Sequence, residues 1–169
     1  MVLLGDHGTT ETRAALVKSS GFRIGGGRKG PGVYFWARDS LSKGLAVSWH
    51  SVRLKNGRYA GDKSLRCVVI SVEIHVDKDE TINLNDQAIK SRLLSLYSDR
   101  INKNNDMYNA CLEEFFSRIE NRSGKKLKVI VSGIRPPKDC KYPEFYGLPN
   151  CYIVRNTSCI INIAYEEVA

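Results

Sequence analysis

The sequence predicts an α+β domain, and three observations carry that prediction. Apolar runs rich in β-branched residues recur from the first residues to the last, stretches with helical spacing of apolar residues lie between them, and 169 residues make about one domain with a full core. With 42% hydrophobic and 26% charged residues, the composition is that of an ordinary globular chain and excludes a disordered tail.

Val2 to Asp6 reads as a short strand that delivers His7 to its end. Thr9 or Thr10, followed by Glu11 and Thr12, caps a helix with Ala14, Ala15, Leu16 and Val17 on its buried side, and Gly21 just past Ser19-Ser20 ends it. Gly32 to Trp36 is expected as a second strand and Ser40 to His50 as a second helix capped by Ser40, with a turn at Asn56-Gly57. Leu65 to Val76 is the strongest strand pattern and is expected in the middle of a sheet. A helical insert follows over about 86–122. Ile89, Leu93, Leu96 and Tyr97 share one face, as do Tyr108, Leu112 or Cys111, Phe115 and Ile119, and the insert reads as plain core ahead of a lid or a partner surface. Lys128 to Ser132, Cys151 to Arg155 and Cys159 to Tyr165 complete the strands, after a loop from Ile134 to Pro149 that carries Tyr142, Phe145 and Tyr146.

The chemistry concentrates between Asp6 and Trp49. His7-Gly8-Thr9 stands at the end of an apolar start, and Gly25-Gly26-Gly27-Arg28-Lys29-Gly30-Pro31-Gly32 runs directly into Val33-Tyr34-Phe35. Such glycines let backbone approach a ligand closely, and Arg28 and Lys29 add positive charge for phosphates. In this order the segments read as a nucleotide pocket.

The ordered set resembles the ADP-ribosyltransferase fold of the poly(ADP-ribose) polymerase and diphtheria-toxin type, in which a His, a Tyr and usually a Glu form the site. The resemblance implies a split β-sheet core with flanking helices, with the insert at 86–122 as an addition. It also implies NAD as substrate, with His7 on a ribose, Tyr34 stacked on nicotinamide, and Gly8, Thr9, Arg28 and Phe35 around them. Ala46-Val47-Ser48-Trp49 resembles the family's small-x-x-aromatic helix, which makes Trp49 the second wall. A flat cationic ring is well held by an aromatic face.

Asn150-Cys151-Tyr152-Ile153-Val154-Arg155-Asn156 resembles the family's last shared strand, with Cys151 where the Glu stands. A neutral thiol is a weak hydrogen-bond partner and carries no charge. The resemblance then implies transfer of single ADP-ribose units or inactivity, and Glu144, on the preceding loop, becomes the expected acid–base group in place of Cys151.

A net charge of +8 favours a polyanionic partner. Arg53, Lys55, Arg58, Lys63 and Arg66, with Tyr59 among them, suit single-stranded RNA or DNA, and Lys125, Lys126 and Lys128 form a second basic group. The leading expectation is a mono-ADP-ribosyltransferase acting on such an acceptor. Its relatives by resemblance include toxins of toxin–antitoxin or phage-defence systems, which adds an antitoxin protein as an expected partner. A non-catalytic NAD- or nucleic-acid-binding module of the same fold is the alternative, and an NAD-dependent RNA 2′-phosphotransferase ranks third.

Five cysteines without Cys-x-x-Cys spacing point to reduced thiols and to no zinc site, with Cys67, Cys111 and Cys159 as small core residues. No apolar run approaches the roughly 20 residues that span a bilayer, and Met1-Val2-Leu3-Leu4 is too short for a signal peptide, so a cytoplasmic protein is expected.

Overall fold

The computed structural model describes residues 1–168. Among these residues seven strands form one mixed sheet and four α-helices cover it. In chain order the elements are β1 (Val2–Thr10), α1 (Glu11–Ser20), β2 (Val33–Ala37), α2 (Ser42–Lys55), β3 (Cys67–His75), β4 (Thr81–Asn83), α3 (Gln87–Tyr97), α4 (Asn105–Ser123), β5 (Val129–Gly133), β6 (Asn150–Val154) and β7 (Ile160–Glu167). The strands lie in the order β4-β5-β6-β2-β1-β3-β7, antiparallel throughout except for the parallel β4/β5 pair. No helix among the described residues is long and apolar enough to cross a membrane.

Strand β1 runs four residues further than its apolar start predicts, because β3 pairs with it over its whole length, from Val2↔His75 to Thr10↔Cys67. His7 therefore sits inside a strand and not at its end. Toward β2 the pairing is much shorter, Gly5↔Ala37 and Asp6↔Trp36 only. Beyond Asp6 each strand keeps its outer partner, β3 for one and β6 for the other, so the sheet opens between β1 and β2. All seven strands nonetheless belong to one hydrogen-bonded sheet.

Side chains alternate across a strand, and each face has its own cover. One face buries Phe35, Ile70, Val72 and Ile74 with Ala14 of α1. The other packs Trp36, Val69 and Cys151 against Leu45 and Ala46 of α2, and Ile130 and Ile153 against the α3–α4 pair. The insert is core as expected, with Leu93, Tyr97, Cys111, Leu112 and Phe115 buried; Phe116 joins them, while Leu96 is exposed.

Several local expectations are corrected. In α1 only Ala14 is buried, and Ala15 and Leu16 face solvent, since the helix rests on the sheet along a narrow line. The cap is Thr10, whose Oγ1 accepts from the Arg13 amide, and Gly21 closes the helix at φ 75°. Ser40 does not cap α2: the helix starts at Ser42, and the Asp39 carboxylate accepts from the Leu41 amide just ahead of it. Strand β3 lies beside the edge strand β7 and not in the middle of the sheet. Its apolar pattern reflects cover on both faces, by α1 and by α2.

Asp6 fixes how these layers meet. Its side chain is fully buried, and it accepts from Arg38 Nε at 3.2 Å, Ser42 Oγ at 2.6 Å and Ser71 Oγ at 2.6 Å. One carboxylate thereby joins β1, the end of β2, the start of α2 and β3. Removing it strands a guanidinium and two hydroxyls, so Asp6→Ala is expected to lower unfolding free energy by about 3 kcal/mol in urea titration.

Candidate active site

The opening between β1 and β2 is bridged by a side chain. His7 Nδ1 lies 2.8 Å from the Tyr34 carbonyl oxygen, at the level where the backbone ladder has ended. A carbonyl only accepts, so Nδ1 carries the proton. Burial pulls the imidazole pKa below its usual 6.5, opposed by the bond to Tyr34 and assisted by the nearby charge of Arg53. The ring is therefore neutral, and Nε2 presents a lone pair with no protein partner among the described residues, a fitting acceptor for a hydroxyl. The ring is wedged between Phe22, edge-on at 5.9 Å between centroids, and Phe35 at 5.7 Å.

His7 and Tyr34 meet through that carbonyl and not ring to ring. Phe35, against which His7 packs, belongs to the α1 face of the sheet, whereas the Tyr34 ring packs with the clusters on the opposite face. Tyr34 Oη donates to the Gly30 carbonyl at 2.7 Å and accepts from the Lys29 amide at 3.1 Å, and burial raises its pKa to about 12. Gly27 lies so close against the Tyr34 ring that a Cβ there would overlap it. The glycine run is thus folded onto the aromatic face it was expected to leave open.

Helix α4 holds that run in place. Lys29 Nζ donates to Tyr108 Oη at 2.9 Å, and Asn109 Nδ2 donates to the Gly27 carbonyl at 3.2 Å. Gly30, at φ 94°, faces the Glu113 carboxylate, which also takes a 2.7 Å bond from Arg155. Lys29 is consequently an anchor and not a free phosphate ligand, while Arg28 is exposed with no carboxylate partner among the described residues. Sequence reasoning placed Tyr108 in an apolar stripe and passed over Asn109 and Glu113 beside it, because apolar spacing alone describes this helix as core.

The other expected residues divide by depth. Gly8 lies under α2, where a Cβ would overlap the Ala46 carbonyl, so only glycine permits this close approach of helix and strand. Thr9 and Phe35 are buried, and Phe35 is a core wall beneath His7 and not a ligand contact. Trp49, one turn beyond Ala46, is half-buried with the Arg53 guanidinium 5.8 Å from its ring. Cys151 is buried among Trp36, Leu45, Ala46 and Val69, and burial drives its thiol pKa far up, so it is a neutral packing group. Glu144 is exposed on a single 3-10 turn, Glu144–Tyr146, with no side-chain partner among the described residues.

The basic groups are rearranged by pairing. Tyr59, expected to stack on bases, is buried, stacked on His50 at 5.3 Å and capped by Arg13 at 4.7 Å. Lys55 pairs with Asp139, and Arg66 with Glu11 and Glu167. Lys125, Lys126 and Lys128 are each matched, by Asp79, Glu120 and Glu80. Among the described residues Arg53, Arg58 and Lys63 keep no carboxylate partner and remain available to phosphate. Neither a protein-family model nor a curated protein matches this sequence.

The lowered pKa of His7 makes stability pH-dependent. The folded chain holds the ring neutral while the unfolded chain protonates near 6.5, so this contribution is intact above pH 6.5 and is lost as pH falls toward the folded value. His50, also lowered by burial, acts in the same sense. Urea midpoints measured from pH 7.5 to 5 are expected to fall, and His7→Gln is expected to remove part of that slope.

Proposed function

We propose that this chain is a mono-ADP-ribosyltransferase that binds NAD at the opening between β1 and β2 and transfers ADP-ribose to an acceptor, RNA or DNA being the acceptor class its charge favours, with release of nicotinamide. The observation that carries the reading is His7: a neutral imidazole, locked by the Tyr34 carbonyl, with a free Nε2 at a break in the sheet. In this role Nε2 accepts from a ribose hydroxyl. Arg53, close enough to act on His7, offers charge to the pyrophosphate, and the Tyr34 ring offers a stacking face when the glycine run lifts.

The acceptor must lose a proton as it attacks the anomeric carbon. Glu144 is a solvent-facing carboxylate fit to take it, whereas the buried Cys151 thiol has neither charge nor access. The neutral packing of Cys151 equally favours a second reading, a module of the same kind that binds NAD or nucleic acid without catalysis.

Incubation with NAD labelled in the nicotinamide separates the two. Release of free nicotinamide is expected, reduced at least about tenfold in Tyr34→Ala and retained in Tyr34→Phe, which keeps the ring. Glu144→Gln is expected to lower transfer to acceptor while Cys151→Ala preserves it. Undiminished turnover in Tyr34→Ala would remove the pocket assignment, and binding without nicotinamide release would establish the second reading.

A further inference from the structure

The loop between β5 and β6 exposes apolar surface that the core does not use. Phe145 is 85% exposed, Tyr146 55% and Leu148 57%. The two rings lie 4.6 Å apart between centroids, and Tyr146 is backed at 6.0 Å by Tyr142. Tyr142 is half-buried against the cluster of Trp36, Leu45, Ala46 and Cys151, so the platform is anchored to the sheet and to α2.

Charge identifies what this platform fits. Arg135, Lys138 and Lys141 are exposed on the same loop, and among the described residues none has a carboxylate partner. Asp139, the one aspartate of the loop, is occupied by Lys55, which ties the loop to the end of α2 near Arg53. Among the described residues of the loop, Glu144 is the only unpaired carboxylate. A second copy of the chain would bring the same positive charge. A base with a phosphate on each side matches both features, because every base has a face to stack and the cations meet the backbone. Stacking on exposed rings also requires bases that are not already stacked in a duplex.

We infer that Phe145 and Tyr146, together with Arg135, Lys138 and Lys141 of the same loop, form a binding platform for single-stranded nucleic acid. The platform's role in presenting an acceptor beside Glu144 rests on the transferase reading; its binding of a strand does not. It replaces Tyr59 as the aromatic partner, since Tyr59 is buried.

The test is fluorescence anisotropy with the full chain and labelled single-stranded oligonucleotides, RNA and DNA, without NAD, over a salt series. Phe145→Ala with Tyr146→Ala is expected to weaken binding by about 10- to 100-fold while leaving the salt slope unchanged. Gln at Arg135, Lys138 and Lys141 together is expected to flatten that slope by roughly 2 units, about 0.7 for each phosphate that the chain no longer neutralises. Nicotinamide release without oligonucleotide is expected to be unchanged in the aromatic pair variant, which separates this surface from the pocket. Equal affinity for a blunt duplex, unaltered binding in the aromatic pair variant, or no binding by the unmodified chain at low salt would each overturn the platform, and the last with an acidic protein captured instead would assign the surface to protein.

Discussion

The buried Asp6 carboxylate is the constraint on which the arrangement depends. An ion deep in a protein persists only when its lone pairs are taken up, and here two serines and an arginine from three other segments do so. That requirement sets the register of β1 against β3, brings the start of α2 down onto the sheet and holds the end of β2 at Arg38. Two residues on, α2 passes so close to β1 that only Gly8 fits beneath Ala46. The far half of β1 has no ladder partner on its β2 side. The opening that His7 bridges follows from where the last ladder pair, Asp6↔Trp36, is pinned.

The bridge itself turns a local lack of pairing into a defined chemical state. With Nδ1 committed to the Tyr34 carbonyl and the ring clamped by Phe22 and Phe35, tautomer and orientation are both fixed. Arg53 contributes at a distance by opposing protonation. A residue that sequence patterning groups with a basic surface therefore also acts electrostatically on the imidazole.

Much of the fold was legible in the sequence. β-branched runs marked the strands, Thr10 and Gly21 marked the ends of α1, and spaced apolar residues marked α3 and α4, because these signals are local. What was not legible depends on partners far along the chain. The extension of β1 to Thr10 needs β3, the exposure of Ala15 and Leu16 depends on how narrowly α1 touches the sheet, and the burial of Tyr59 needs His50 and Arg13. At the candidate site the residue types were readable while their directions were not. His7 and Tyr34 stand one strand apart, yet the alternation of β2 sends Phe35 to one face and Tyr34 to the other. An acidic residue beside a histidine in an apolar strand is a signal of buried pairing, and it would have found Asp6.

Gly27 resting on the Tyr34 ring gives the glycine run the character of a built-in competitor. Any flat ligand seeking that ring must displace the chain's own backbone, together with the Asn109 and Tyr108 contacts that hold it. The observed dissociation constant would then be the intrinsic one divided by the fraction of molecules with the run lifted. On the transferase reading proposed above, helix α4, far from the imidazole in sequence, would thereby act as a rheostat for occupancy: loosening its grip on the glycine run would tighten binding without altering the Tyr34 ring.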